Sequence, residues 1–181
     1  KNRMENILVT GGAGYIGSHM VRVLLENGYQ QVVFDNLSTG YREFVPKWIP
    51  FIKGDLRNPA HVEKIFDQYP IAAVMHFAGL IVVPESVIDP LKYYETNVSG
   101  TLNLLKAMVN ANVKFFIFKV YAANTSITTM AVATKKKIGG IFTIERIKTP
   151  IEMNGVDALI AKFAVVAERT IDAITRSICL V

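Results

Sequence analysis

Val9-Thr10-Gly11-Gly12-Ala13-Gly14-Tyr15-Ile16-Gly17 decides the reading of this chain. An apolar run, Ile7-Leu8-Val9, precedes the glycines and is short enough to be a buried strand. A helical pattern follows from about Ile16 to Asn27, where Gly28 can cap it. Strand, glycine turn and helix form the context that a dinucleotide fingerprint requires. Gly11 suits a positive-φ turn, and Gly14, with no Cβ, lets the backbone approach a pyrophosphate. Gly17 lets the helix pack close to its strand. The first-turn N–H groups and the helix dipole then face the phosphates. Three glycines alone can also be a tight turn, so a second feature is needed.

That feature is Asp35. Gln31-Val32-Val33-Phe34 reads as the next strand, and Asp35 stands at its tip. An acid about 20 residues past the glycines is placed to bind both ribose hydroxyls of an adenosine. It would repel a 2′-phosphate, which favours NAD over NADP. The bland reading, that Asp35-Asn36 only starts a turn, is the weaker one at this spacing.

The alternation continues. Ile49 to Lys53 is a short strand ending at Gly54-Asp55, and Asn58-Pro59 caps and opens a helix with Val62, Ile65 and Phe66 on one face. Ile71 to Met75 is an apolar strand. Asp89-Pro90 starts a long helix reaching about Asn110, with Tyr93, Val98, Leu102, Leu105 and Met108 as its stripe. Phe115 to Phe118 is a fifth strand. Strands alternating with amphipathic helices predict an α/β protein: a Rossmann-type doubly wound parallel sheet flanked by helices, in three layers. The expected strands lie near 6–10, 31–35, 49–53, 71–76 and 114–120, in the order 3-2-1-4-5. Ile138 to Ile144 is a further candidate strand.

Composition agrees. The 181 residues suit one domain, 51% of them are hydrophobic, and mean hydropathy is +0.29, which argues against disorder. No apolar run reaches the ~18 residues of a membrane helix; His76 interrupts the nearest, Ile71 to Val83. The polar start leads straight into a strand, so no signal peptide is expected. The single Cys179 excludes an internal disulfide and fits a reducing compartment. Net charge is +5, concentrated after residue 118, where Lys135-Lys136-Lys137 is the densest cluster. Without interleaved aromatic residues it reads as solvated surface, not a nucleic-acid platform. No residues have metal-ligand spacing. His76 reads as a packed strand residue.

Five segments together resemble the UDP-glucose 4-epimerases of the extended short-chain dehydrogenase/reductases. They are Thr10 to His19, Asp35-Asn36-Leu37-Ser38-Thr39-Gly40, Gly54-Asp55-Leu56-Arg57, His76-Phe77-Ala78-Gly79 and Tyr93 to Thr101. The resemblance covers about residues 6–118. It implies NAD, a UDP-sugar substrate, epimerisation through a transient 4-keto intermediate, a place in galactose metabolism, a cytoplasmic location and a homodimer. It also implies roles. Gly11, Gly14, Tyr15 and Ile16 would line the pyrophosphate. Asp35 and Asn36 would hold the adenosine ribose, with Leu37, Ser38 and Gly40 close by. Asp55 and Leu56 would border the adenine, Asp55 through its exocyclic amine. Phe77, Ala78 and Gly79 would wall the nicotinamide side, with Asn97 from the long helix. Phe77 could instead be core, and Asn97 a polar helix residue bonding a loop.

The pattern then breaks. After the fifth strand the family has a Ser/Thr-rich turn; this chain reads Lys119-Val120-Tyr121-Ala122-Ala123-Asn124-Thr125-Ser126. The family also carries Tyr-x-x-x-Lys on a helix, where the lysine lowers the tyrosine pKa so that the phenolate can take a proton. Four residues after the seven tyrosines stand His19, Val33, Val45, Ala73, Asn97, Val98 and Thr125. A helix is expected from about Asp157 to Thr175; it holds Lys162, a weak catalytic candidate, with Ala158 four residues before it. Ile81 stands where many epimerases have lysine. Residues 119–181 are therefore read as divergent, ending near a sixth strand, Ser177 to Val181, with the family's C-terminal sugar-binding domain expected to be absent. Two alternatives stay open. One is a non-catalytic NAD-binding module. The other is a different NAD-dependent oxidoreductase on nucleotide sugars, using Tyr121 or another base.

Overall fold

The computed structural model describes residues 6–120, 129–133 and 144–146, and the chain divides into two units, Lys1–Lys114 and Phe115–Val181. The first unit holds four parallel strands: β1 (Asn6–Thr10), β2 (Gln31–Asp35), β3 (Phe51–Lys53) and β4 (Ile71–His76). They stand side by side in the order β3-β2-β1-β4. All five residues of β1 and all five of β2 are buried. Successive side chains of a strand point to opposite faces, so both faces of this sheet are covered. Leu8, Val9, Val32, Val33 and Val74 form the centre of the core, fully excluded from solvent. The architecture is the expected doubly wound α/β sheet of Rossmann type.

Two helices make the crossovers from β1 to β2 and from β3 to β4. α1 (Tyr15–Glu26) buries Met20, Val21 and Leu24 and contacts β1 and β2. It ends where Gly28 turns left-handed, at φ 77°; Gly28 N–H then bonds the Leu25 carbonyl and Tyr29 N–H the Leu24 carbonyl. Those two bonds satisfy carbonyls that the helix end would otherwise orphan. α2 (Pro59–Gln68) starts as the sequence indicates: Asn58 Oδ1 accepts from Ala60 N–H at 3.0 Å and Pro59 takes the first helical position. Val62 and Ile65 are buried, while Phe66 is only half-buried.

Two elements depart from the sequence reading. β3 begins at Phe51, two residues later than expected. Ile49 gives its N–H to the Pro46 carbonyl in a turn, and Pro50 has no N–H to give. The long helix is interrupted. After α3 (Val83–Ile88), α4 (Pro90–Tyr93) runs through a π-helical segment, Tyr94–Ser99, into α5 (Gly100–Asn110). A π turn closes i→i+5 and shifts the phase of every residue beyond it. The buried positions are consequently Tyr93, Gly100, Leu104, Ala107 and Met108, whereas Val98 and Leu102 are about half exposed, at 48% and 49%. Leu105 is half-buried.

The second unit contains β5 (Phe115–Val120), β6 (Thr129–Ala133) and β7 (Ile144–Arg146). β6 is antiparallel to both of the others, with Lys119 opposite Met130 and Ala131 opposite Arg146. β5 lies where expected. β6 has no counterpart in the sequence reading, and of the candidate strand Ile138 to Ile144 only Ile144 is described. Tyr121, the helix from Asp157 to Thr175 with Lys162, and the strand Ser177 to Val181 lie outside the described residues. No helix among the described residues is long and apolar enough to cross a membrane.

Replacing Asn58 with alanine removes the cap of α2. Urea denaturation is expected to show a loss of about 1 kcal/mol.

Candidate cofactor site

The carboxyl ends of β1, β2, β3 and β4 open onto one cleft, lined on the β1 side by Gly11 and Gly14. Gly11 has φ 70°, and a Cβ there would lie 2.5 Å from the Ala78 nitrogen. Only glycine fits that turn, both by conformation and by space. Gly17 is crowded too, but against the turn rather than the strand: a Cβ would sit 2.1 Å from the Gly11 carbonyl oxygen. Gly14 is different. A Cβ there would meet only the Gly11 carbonyl oxygen, at 3.3 Å, so its open side faces the cleft. No side chain caps α1, and no acid stands in its first turn. The helix N-terminus is thus left for a ligand anion.

Asp35 closes the next wall. Its Oδ2 accepts from Ala13 N–H at 3.0 Å and its Oδ1 from Leu37 N–H at 2.8 Å. It therefore does start a turn, yet it also lines the cleft. Each carboxylate oxygen has a second acceptor direction, so two hydroxyls can still be bound. Leu37 is forced to φ 59°, a left-handed conformation that costs a leucine stability. Asn36 joins two strand ends: its Oδ1 accepts from Ser38 N–H at 2.9 Å and its Nδ2 donates to Asp55 Oδ2 at 3.3 Å. Asp55 is gripped by Arg57, whose Nη2 lies 2.7 Å from Oδ2. That guanidinium holds the Asp55 carboxyl at about 2, with the Arg57 backbone N–H and Asn36 adding to it and burial opposing.

The fourth wall is the loop Phe77 to Leu80. Phe77 N–H bonds the Thr10 carbonyl at 2.9 Å. Asn97 holds the far end with both amide atoms: Leu80 N–H donates to Oδ1 and Nδ2 donates to the Leu80 carbonyl, each at 2.8 Å. Beyond that, Tyr93 Oη lies 2.8 Å from the Val82 carbonyl oxygen and 2.7 Å from Glu85 Oε2, two acceptors that share its single proton, and Glu85 also pairs with Lys92.

Of the expected residues, Gly11, Gly14, Asp35, Asn36, Ser38, Asp55, Leu56, Phe77, Ala78 and Gly79 line the cleft. Tyr15, Ile16, Leu37, Gly40 and Asn97 stand beside it. Tyr15 opens α1 and is 53% exposed. Gly40 packs on Ala13, beside the bond from Tyr41 N–H to the Ala13 carbonyl. Asn97 does what the blander reading held: it bonds a loop. Phe34, Thr39, Gly54, Leu80 and Thr96 also line the cleft, without a role assigned to them from the sequence. Thr39, Gly54 and Thr96 fall within the quoted segments, and Phe34 and Leu80 adjoin site residues; only that adjacency points to them. Among the described residues no cluster of three or more His, Cys, Asp or Glu gathers.

His76 is 2% exposed, and burial pushes its pKa down to about 4. The unfolded chain takes that proton near pH 6.5 and the folded protein does not. Stability from this group is therefore complete above pH 6.5 and is lost as pH falls towards 4. Unfolding free energies from urea titrations at pH 7 and pH 5 are expected to differ by roughly 2 kcal/mol from this residue, with a His76→Gln variant showing a shallower pH dependence.

A parallel α/β sheet with an uncapped helix behind a glycine turn, and an acid at the second strand tip, defines a Rossmann-type dinucleotide fold. The chain belongs to the NAD dependent epimerase/dehydratase family, whose model matches residues 7–136. It is 51% identical over 114 residues to the UDP-glucose 4-epimerase of Rhizobium leguminosarum bv. trifolii, covering 63% of this chain and 35% of that one. Among solved structures it is similar to the Thermus thermophilus UDP-glucose 4-epimerase complex with NAD, at 41% identity and TM-score 0.61, over 66% of this chain and 41% of that one. It is also similar to the UDP-glucose 4-epimerase from Brucella ovis in complex with NAD, at 35% identity and TM-score 0.63, over 92% and 46%. This chain thus spans about a third to a half of these relatives' length.

Proposed function

We propose that this chain is the cofactor-binding part of an NAD-dependent UDP-glucose 4-epimerase. The observation that carries the reading is the pairing of Gly14, open to the cleft before an uncapped helix, with Asp35 at the β2 tip. The UDP-glucose 4-epimerases it resembles support the same reading. Gly11, Gly14, Tyr15 and Ile16 would face the pyrophosphate. Asp35 would take the ribose hydroxyls, with Asn36, Leu37, Ser38 and Gly40 shaping its turn. Asp55 and Leu56 would border the adenine, and Phe77, Ala78 and Gly79 the nicotinamide, the last three braced by Asn97. Bound NAD supplies hydride transfer, and the sugar would pass through a 4-keto intermediate with no net redox. A homodimer fits the exposed apolar row Leu91, Tyr94, Val98 and Leu102 along the long helix.

Two substitutions separate ligand from packing. Asp35→Ala is expected to weaken NAD binding by about 1–3 kcal/mol, the range for a charged hydrogen-bond partner, and to narrow the preference for NAD over NADP. Gly14→Ala should weaken NAD with little change in urea stability, because its Cβ meets one atom only. Calorimetric titration with both cofactors decides; equal affinity of the unaltered protein for NAD and NADP would remove the ribose role of Asp35.

The chemistry itself is proposed to be impaired. None of the seven tyrosines in this sequence has lysine four residues later, which supports that reading. Losing a positioned base costs about 10²–10⁴ in rate. The same observation favours the second reading, a module that binds NAD without turnover. Protein whose intact mass matches this sequence is expected to bind NAD and to convert UDP-glucose to UDP-galactose little or not at all. Turnover in the ordinary range of about 1–10³ s⁻¹ would show that another residue serves as base.

A further inference from the structure

Buried at the end of β4, His76 has both ring nitrogens in use, although it does not line the cleft. Thr10 Oγ1 is 2.6 Å from Nδ1, and Thr101 Oγ1 is 3.0 Å from Nε2. Thr101 gives its own hydroxyl proton to the Asn97 carbonyl at 2.7 Å. With that proton spent, Thr101 Oγ1 can only accept from the ring, so Nε2 carries hydrogen. Nδ1 is then the acceptor, and Thr10 donates to it. One directed chain results: Thr10 hydroxyl to His76, His76 to Thr101, Thr101 to Asn97. It starts one residue before Gly11. It ends on the residue whose amide grips Leu80 at both backbone atoms. Asn97 lies within the π-helical segment Tyr94–Ser99. There the ordinary i→i+4 ladder does not fix the helix phase, so a side-chain bond to its carbonyl carries more of the positioning.

We propose that His76 is a positioning residue for the cleft: through Thr10 and Thr101 it ties the end of β1 to Asn97, and so sets the Phe77–Leu80 wall. The role rests on the cofactor reading only where that wall is taken to face NAD. The link from His76 to Leu80 stands on its own geometry. His76 makes no contact with a ligand in this scheme and transfers no proton.

Variants at three positions test it in the full chain. Thr101→Val keeps the shape and removes the hydroxyl. His76→Leu removes both ring partners, and His76→Gln restores one acceptor and one donor. Asn97→Ala removes the clamp. Exchange of the Leu80 amide, read by NMR against amides of β1 and β2, is expected to quicken about tenfold in Thr101→Val and in His76→Leu, and to recover in His76→Gln. NAD affinity should fall roughly 3–10-fold in Thr101→Val, one hydrogen bond's worth. The same change made in the Asn97→Ala background should cost nothing further, because the two residues act in series. Unchanged Leu80 exchange in Thr101→Val overturns the proposal, as does a lower urea midpoint with no selective effect at Leu80. An undiminished cost in the Asn97→Ala background overturns it too. If the unaltered protein takes up no NAD, the cofactor reading falls, and Leu80 exchange alone decides this one. Should His76→Leu fail to fold, Thr101→Val, which fills the same volume, still decides.

Discussion

The structure depends on one close approach, between the backbone of the turn after β1 and the backbone that leaves β4. No side chain fits between them at Gly11, where 2.5 Å separates a notional Cβ from the Ala78 nitrogen. The contact is locked on both sides: Gly11 N–H bonds the Phe34 carbonyl and Phe77 N–H bonds the Thr10 carbonyl. β1 therefore ends clasped between β2 and β4. This is where successive crossovers part to opposite sides of the first strand, the place where an open α/β sheet leaves a crevice. The glycine turn, the acidic strand tip and the Phe77–Leu80 wall meet there, lining one cleft at the carboxyl ends of the strands.

The two carboxylates of the cleft are held by different means. Asp35 is fixed by backbone N–H groups of Ala13 and Leu37, which cannot move without the turn moving. Asp55 is held chiefly by a side chain, and Arg57 is half exposed, at 46%. One carboxylate is thus held by the backbone of its own turn, and the other mostly by a solvent-facing guanidinium, with the Arg57 backbone N–H and Asn36 adding to it.

β1, β2 and β4 were legible to the residue, because buried apolar runs ended by Gly, Asp or His leave little choice of boundary. The caps of α2 and α4 were legible for the same local reason: Asn58-Pro59 and Asp89-Pro90 carry their hydrogen bonds within a few residues. What failed was phase and distance. A π-helical segment has no signature in a 3.6-residue periodicity, so Val98 and Leu102 were placed inside when they are half exposed. The grip of Arg57 on Asp55 could not be read, because it turns on a side-chain rotamer. That Asn97 bonds a loop stood among the readings, but its partner, Leu80, lies 17 residues away and was not named. Residues at strand tips announced themselves; those that brace them did not.

The glycine motif records two separate demands. Gly11 and Gly17 are required by the protein's own atoms, and a larger residue at either would collide with backbone whether or not a nucleotide were present. Gly14 is the least confined: a Cβ there would meet one atom, the Gly11 carbonyl oxygen at 3.3 Å, and the residue lines the cleft. A descendant of this fold that had abandoned its nucleotide would still need the first and last glycines, and would be free to lose only the middle one. In such a lineage two of the three letters would persist as a fossil of folding, and only the third would report on binding.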